Sequence, residues 1–399
     1  MKILIVHNYY QHAGGEHTAL RAQLELLEKE GHQVVLYTKH NNEIRQFDLK
    51  ERLSALPNTI FSSSTYREIV QLVREEKPQI AHIHNVFPLI SPSVYRALAD
   101  TAVPMVQTIH NFRLLCPNGL FYTHGTVCER CKHGNTLHAV RYRCHRESYL
   151  SSTLYAASIA FHRYQETFQS IDRFIALTDF TAQKLVESGL VSKDRIVVLG
   201  NYLPEPLPQV SFVAQREPYV VFIGRLSAEK GVAQLIQAAQ YLPGINLKIL
   251  GEGPEQETLQ RMVEALHLQQ VEFLGFVTGD RKWELLRHAT ATIVPSVWYE
   301  NFPFSVLESL AVGTPVVASN LGSLPYVLQD GVTGLLFTVG DPLDLADKIR
   351  ALSTQPQLTK RMRQKARALI EQRYVASVHY ERLMDIYQGV LDMESTDKA

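Results

Sequence analysis

The stretch from Tyr219 to Gly231 reads YVVFIGRLSAEKG, and it joins a short apolar run to a glycine-containing turn. Short apolar runs rich in β-branched and aromatic residues are typical of buried strands. A helical pattern over Val232–Tyr241 follows the turn. A strand, a turn and a helix in this order form the repeating unit of a parallel sheet covered by helices.

The same alternation extends from this stretch in both directions. Short apolar runs predict strands over Ile3–Val6, Gln33–Tyr37, Ile80–His84, Met105–Ile109, Phe174–Leu177 and Ile196–Leu199, and again over Tyr219–Ile223, Leu247–Leu250, Val271–Leu274, Thr292–Val294, Pro315–Ala318 and Leu335–Phe337. Gly200–Arg216 contains Pro204, Pro206 and Pro208 and lacks either periodicity, so it is predicted to be a linker. We therefore predict an α/β fold of two Rossmann-like α/β/α domains that face each other across a cleft.

The predicted domains are residues 1–205 and residues 206–375. The charged helical segment 376–399 is predicted to pack back on the N-terminal domain. Ligands of such sheets bind at the carboxyl ends of the strands, so the pocket is expected between the two domains.

Composition excludes several classes of protein. The 399 residues include 40 basic and 40 acidic side chains, and this balance lacks the basic excess typical of nucleic-acid binding. Ile3–Val6 is too short an apolar run for a signal peptide, and no run approaches the roughly 18 residues of a membrane span. We therefore expect a cytoplasmic chain, which could still touch a membrane surface.

Glycines follow the first predicted strand at Gly14–Glu16. Adjacent glycines before a helix allow a ligand to approach the backbone, although a purely structural turn has the same pattern. The dinucleotide fingerprint G-x-G-x-x-G is absent here, and it fails at Gly251–Gly253 because Gln256 occupies the third glycine position. An oxidoreductase is therefore disfavoured.

Two cations follow the strand Tyr219–Ile223. Gly224 and Arg225 come directly after it, and Lys230 precedes the next helix. A pair of cations at the end of a strand, beside a helix N-terminus, suits a diphosphate. Solvated surface charges are the alternative, and the position of the pair favours the diphosphate.

The segment Trp298–Glu308 contains two spaced acids. Glu300 lies in the loop after a predicted strand, and Glu308 lies about two turns into the following helix. The N-terminus of that helix offers free N–H groups to a phosphate. One carboxylate could then hold sugar hydroxyls while the other binds a ribose, although surface acids would show the same spacing.

These segments together resemble glycosyltransferase family 4, whose members are retaining enzymes of the GT-B fold. The similarity covers nearly the whole chain, and its segments are Gly14–Glu16, His82–Asn85, Thr108–Asn111, Gly224–Leu226, Lys230–Gly231, the E-x7-E pair Glu300 and Glu308, Gly313–Ala318 and Gly331–Phe337. The resemblance implies an N-terminal acceptor domain and a C-terminal domain for a nucleotide-sugar donor.

The resemblance also implies roles for residues of the C-terminal domain. Arg225 and Lys230 would bind the donor diphosphate, Glu300 the donor sugar and Glu308 the ribose. Backbone groups around Phe302, Pro303, Phe304 and Ser305 would meet the sugar and phosphate. The family often has glycines where this chain has Asn301, Pro303 and Ser305, and this difference puts the donor-sugar preference in doubt.

In the N-terminal domain the resemblance implies that His110 lines the donor-sugar site. Gly14 and Gly15 would shape the floor where donor and acceptor meet. His84 ends a predicted strand in the same way as His110, and both are also compatible with a structural role.

The function implied is transfer of a sugar, with retention, from a UDP- or GDP-sugar to a glycan or lipid-linked acceptor in exopolysaccharide, capsule or lipopolysaccharide synthesis. No metal is needed for catalysis, because cations and a helix N-terminus supply the positive field. Two alternatives remain: a nucleotide-sugar epimerase of the same fold, and a non-catalytic protein that binds nucleotide sugars.

The four cysteines are Cys116, Cys128, Cys131 and Cys144, with the spacing C-x11-C-x2-C-x12-C. A central C-x2-C pair with two outlying cysteines favours a structural zinc site in the loop 116–144, and four packed thiols are the alternative.

The segment 138–168 mixes arginines with tyrosines, leucine and phenylalanine. Such a helix could rest on anionic lipid at the inner face of the membrane, or it could pack inside the protein. Both interpretations stay open.

Overall fold

The computed structural model describes residues 1–11, 14–46, 57–210 and 218–397. Residues 211–216 of the predicted linker lie outside these ranges. Contacts divide the chain into two compact units. The first unit is Met1–Thr123, Cys128–Gly200 and His379–Ala399, and the second is His124–Val127 and Asn201–Val378.

The first unit is built on a six-stranded parallel sheet with the order β2-β1-β3-β4-β7-β8. A separate hairpin is formed by β5 Tyr122–Thr123 and β6 Thr126–Val127. The strands of the first unit's sheet are β1 Lys2–Tyr9, β2 Gln33–His40, β3 Ile80–Ile83, β4 Met105–Ile109, β7 Arg173–Ala176 and β8 Ile196–Val198. Its helices are α1 Gly15–Lys29, α2 Glu43–Gln46, α3 Ser63–Glu76, α4 Ser93–Asp100, α5 Leu137–Arg141, α6 Tyr149–Tyr164 and α7 Asp179–Glu187.

The core of the first unit explains the continuous apolar run of β1. Ile3 and Ile5 are fully buried in one cluster with Leu20 of α1. The same cluster contains Leu383 and Tyr387 of the last helix of the chain, Ala376–Asp397. The sheet is therefore covered partly by a segment distant in sequence.

The second unit repeats the architecture, with the strand order β11-β10-β9-β12-β13-β14. Its strands are β9 Tyr219–Ile223, β10 Asn246–Leu250, β11 Val271–Gly275, β12 Ala291–Val294, β13 Val316–Ser319 and β14 Gly334–Phe337. Its helices are α8 Val232–Ala239, α9 Gln256–Ala265, α10 Gly279–His288, α11 Phe304–Ala311, α12 Leu324–Val327, α13 Pro342–Thr354 and α14 Pro356–Arg373. The last helix of the chain, α15 Ala376–Asp397, belongs to the first unit from His379 onward.

The strand order places a topological switch in each sheet. From β9 the chain adds β10 and β11 on one side, and then returns to place β12 on the other side of β9. Val221 accordingly pairs with Lys248 on β10 and with Thr292 on β12. The first sheet switches in the same way between β1 and β3. Ligands of parallel sheets bind at such switch points, at the carboxyl ends of the strands.

Candidate functional site

The switch point of the second sheet brings Lys230 and Glu300 into contact. Lys230 follows β9, Glu300 follows β12, and Lys230 Nζ lies 2.7 Å from Glu300 Oε1. The Lys230 ammonium also lies 5.3 Å from the ring centroid of Trp298. Residues separated by 70 positions in sequence thus form one charged pair.

The carboxylate of Glu300 is buried, but it accepts several hydrogen bonds. Its relative exposure is 5%, and Ser296 Oγ and Trp298 Nε1 donate to Oε1 over 2.7 and 3.1 Å. Burial acts to raise the pKa of Glu300, but the Lys230 charge and these hydrogen bonds outweigh it, and the pKa lies below its usual value. Glu300 is therefore an ionised acceptor held in a fixed orientation.

The loops after β9 and β12 are tied together by backbone contacts. Val297 N donates to Glu229 O over 2.9 Å, within the 3-10 turn Ala228–Lys230. Gly231 then adopts φ +68°, and a Cβ added there would lie 1.9 Å from Pro295 O. Glycine is required at this position by both the backbone conformation and the close approach.

The other predicted donor-binding residues of this unit are arranged around the pair. Gly224 and Arg225 follow β9 directly, and the Arg225 side chain is exposed. Pro303 precedes α11, whose first turn begins with the half-buried Phe304 and Ser305. Phe302 is 7% exposed and contacts the ring of Tyr374 edge-on, with 5.4 Å between ring centroids.

Glu308 has a different partner from Glu300. It lies on α11, and its Oε1 is 2.8 Å from Lys282 Nζ of α10. The sequence placed Glu308 about two turns into this helix but gave no indication of Lys282. Sequence analysis likewise missed Ser296 and Trp298, although both lie in the loop that directly follows β12.

In the first unit, His110 lies at the carboxyl end of β4, beside β3. Its Nε2 is 2.8 Å from Nδ1 of His84, and the two rings stack with 5.1 Å between centroids. Burial lowers the pKa of His110 to about 3, so the imidazole is neutral at physiological pH. Both residues line a recess with about 280 Å³ of empty space, part of it open to solvent.

The predicted glycines Gly14 and Gly15 are followed in sequence by a buried acid, Glu16. Gly14 is the exposed N-cap of α1, and Gly15 begins that helix. In Glu16, Oε2 accepts from Asn111 Nδ2 over 3.3 Å, whereas the buried Oε1 has no hydrogen-bond partner. Burial raises the pKa of Glu16 to about 8, although the nearby Arg113 charge opposes the rise. The motif therefore places a protonated carboxyl here at neutral pH.

This protonated carboxyl makes stability depend on pH. The folded protein keeps the Glu16 proton up to a pKa of about 8, whereas an unfolded chain loses it near the usual 4.5. Stability therefore falls as pH rises between these values, because the folded state binds one more proton. We expect Glu16→Gln to gain melting temperature relative to the wild type as pH rises from about 5 to about 8.

The matched control is Glu25→Gln, because Glu25 lies on the same helix with a side chain that is 58% exposed. Its melting temperature relative to the wild type should not show the gain with pH that is expected of Glu16→Gln. A constant difference between Glu16→Gln and the wild type would contradict the assignment of a buried, protonated carboxyl.

The four cysteines come from the part of the sequence between β4 and α6. All four line a single recess of the first unit. The predicted basic and aromatic segment 138–168 follows, and α6 within it buries Tyr155, Ala156 and Ile159.

Two family descriptions match the chain in succession. "Glycosyl transferase 4-like domain" matches residues 14–202, and "Glycosyl transferases group 1" matches residues 205–369. The phosphatidyl-myo-inositol mannosyltransferase of Mycobacterium leprae is 34% identical over 191 residues, which cover 46% of this chain and 50% of that protein. The D-inositol 3-phosphate glycosyltransferase of Mycolicibacterium smegmatis is 32% identical over 214 residues, which cover 49% of each.

The chain thus spans about half the length of these curated relatives. Similarity of fold extends further. The solved structure of Anabaena Alr3699/HepE in complex with UDP superimposes with a TM-score of 0.69 at 18% identity, over 98% of this chain and all of that one. The two family matches and this shared architecture establish that the chain belongs to the group 1 glycosyltransferases of family 4 and has the GT-B fold.

Proposed function

We propose that this chain is a retaining glycosyltransferase that moves a sugar from a nucleotide-diphosphate donor to a glycan or lipid-linked acceptor. The observation that supports this most is the contact between Lys230 and Glu300 at the switch point of the second sheet. A fixed cation, an ionised acid and the first turn of α11 follow neighbouring strands there. A sugar diphosphate needs these groups, because its phosphates require positive charge and its hydroxyls require acceptors.

Lys230 would act on the leaving group. Negative charge grows on the diphosphate as its bond to the anomeric carbon breaks, and fixed positive groups stabilise that charge. An ammonium has three N–H donors, and Glu300 uses one of those of Lys230. The other donors would serve phosphate oxygens, together with Arg225 and the N-terminus of α11. We expect transfer to continue in the presence of a metal chelator, because this scheme uses no metal ion.

The acids and His110 would position the donor. Because Lys230, Ser296 and Trp298 all bond to Oε1 of Glu300, Oε2 is the oxygen that would accept a sugar hydroxyl. Glu308 would accept from the ribose. The neutral His110 would hydrogen-bond the donor sugar without adding charge.

Gly14 and Gly15 would shape the floor where donor and acceptor meet, and a Cβ added at Gly14 would meet no atom within 4 Å. We propose UDP- or GDP-sugars as donors, with the UDP complex of the Anabaena protein in favour of the first. The acceptor class we propose is a cell-surface glycan, such as exopolysaccharide, capsule or lipopolysaccharide.

The first test is a thermal-shift screen of UDP- and GDP-sugars. A donor that binds the native state raises the melting temperature with its concentration. The stabilising donor is then incubated with glycan and lipid-linked acceptors, and the products are identified by mass spectrometry and by the anomeric configuration in NMR. A transferred sugar with retained configuration is expected. An isomerised donor without transfer would indicate an epimerase, and stabilisation without turnover a binding protein.

We further propose that the first unit contacts the cytoplasmic face of an anionic membrane through α6. The residues of α6 that are exposed on one side carry no charge, and they are Tyr149, Leu150, Thr153, Ala160, Phe161 and Tyr164. Arg141, Arg143 and Arg146 are exposed just before the helix. Apolar contact and positive charge together favour binding at an anionic lipid surface. Among the helices that the structure describes, none has the length and hydropathy to cross a bilayer.

We expect Tyr149→Ser combined with Tyr164→Ser to weaken cosedimentation with phosphatidylglycerol vesicles, because these side chains are 61% and 83% exposed. The control is Phe276→Ser, which removes a 75% exposed aromatic ring from the second unit. Equal vesicle binding by wild type and the double variant would contradict this contact.

A further inference from the structure

The cysteines of the first unit converge although they come from separate turns. Cys116, Cys128, Cys131 and Cys144 line one recess with about 280 Å³ of empty space, part of it open to solvent. They are all the cysteines of the chain. We infer that these four sulfurs form a structural zinc site, which holds the segment 116–144 in place.

The segment contains little regular secondary structure. Its regular structure consists of two-residue strands, β5 and β6, and the five-residue helix α5. Isolated backbone contacts fix the turns that carry the cysteines, such as Cys128 N to Phe121 O at 2.7 Å and Cys144 N to Ala139 O at 3.0 Å. A cation that links all four side chains would supply the cross-links that regular structure lacks here.

Polar groups lie close to three of the four sulfurs. Backbone groups of Phe121, Asn118 and Gly119 are within hydrogen-bond reach of the Cys116 sulfur. The Thr123 side chain is within reach of Cys144, and the Ala139 backbone is within reach of Cys131. Groups of this kind form the outer shell of hydrogen bonds around metal-binding side chains.

The contact that Cys116 makes is that of a protonated thiol. Cys116 Sγ donates to Asn118 Oδ1 over 3.0 Å, and a thiolate cannot make this bond. Among the residues that the structure describes, no three histidine, cysteine or acidic side chains are already grouped to hold a metal ion. Zinc binding therefore requires Cys116 to lose its proton and to release Asn118.

Zinc binding at Cys116 would also affect the recess of His84 and His110, because Arg113 contacts both places. Its Nη1 and Nη2 donate to Pro117 O and Asn118 O over 3.0 and 3.3 Å, and these carbonyls directly follow Cys116. Arg113 also lines the recess that contains His84 and His110. A metal bound to Cys116 would therefore fix the position of the Pro117 and Asn118 carbonyls to which Arg113 donates.

The experiment measures zinc in the full chain, produced in zinc-supplemented medium and purified without a chelator. We expect about one zinc per chain. It should be released when a mercurial reagent titrates the thiols, and replaced by Co²⁺ with the thiolate-to-cobalt charge-transfer band of a tetrahedral site. Measurements on the wild type avoid any dependence on the folding of a variant.

Cys128→Ser combined with Cys131→Ser should lose the zinc and lower the melting temperature. The matched control is His133→Asn, which changes a neighbouring potential ligand outside the lining of the recess, and it should keep the zinc. Zinc absent from the wild type, zinc retained by the double variant, or cysteines found paired as disulfides would each overturn the inference. These readouts do not depend on sugar transfer, so failure of the proposed activity leaves this test intact.

Discussion

Replacement of Lys230 by alanine is expected to lower the rate of sugar transfer by about 10²–10³-fold, the usual effect of removing one fixed donor to a developing negative charge. The Lys230 ammonium is the cation that Glu300 holds in place, with 2.7 Å between Nζ and Oε1. Its loss removes positive charge from the diphosphate at the moment when the bond to the sugar breaks. The rate should be measured at saturating donor, so that the effect appears in kcat.

The control is Lys248→Ala, which removes a lysine from β10 that pairs with the exposed Glu272. It should transfer at nearly the wild-type rate. Lys230→Arg keeps the charge but changes the geometry, and it should recover part of the lost rate. Near-wild-type kcat in Lys230→Ala, with normal circular dichroism, would exclude Lys230 from the reaction.

The second large effect is expected from Gly231→Ala. The new Cβ would lie 1.9 Å from Pro295 O and 2.9 Å from Gln234 Nε2, so the loops after β9 and β12 would have to separate. Backbone strain at φ +68° adds to this clash. We expect a loss of about 2–4 kcal/mol in the free energy of unfolding, in the range of severe core substitutions. Donor binding should fall as well, because Lys230 would move away from Glu300.

The variant Gly244→Ala separates the effect of the steric clash from the effect of backbone strain. Gly244 has φ +77°, but a Cβ there would meet no atom within 4 Å. It should therefore cost only the backbone strain, about 1 kcal/mol. Equal losses in the two variants, measured by denaturant unfolding, would mean that the close approach to Pro295 is unimportant.

The sequence predicted the elements of the fold well, because strands buried on both faces appear as continuous apolar runs. All twelve predicted strands are confirmed, with ends that differ by a few residues. The short hairpin of β5 and β6 was missed, because two-residue strands have no periodicity. The predicted domain boundary follows residue 205, whereas contacts divide the chain after Gly200.

The candidate site could be predicted only in part. Sequence position placed Lys230 and Glu300 at strand ends, and parallel strands bring such ends to one edge of a sheet. The pairing of Glu308 with Lys282 depends on how α10 packs beside α11, which spacing along one helix does not encode. The contacts of Glu16 could not be inferred either, because Asn111 and Arg113 lie about 95 residues away in the sequence. The roles assigned to these residues stay predictions.

The last helix of the chain has a consequence for biosynthesis. Leu383 and Tyr387 belong to the same buried cluster as Ile3 and Ile5, although the whole second unit lies between them in sequence. A ribosome therefore releases the opening strand long before the segment that completes its core. The second unit contains all of its own strands and can fold during translation. The core of the first unit is complete only after this last helix has been synthesised, so its nascent form keeps apolar surface exposed for longer.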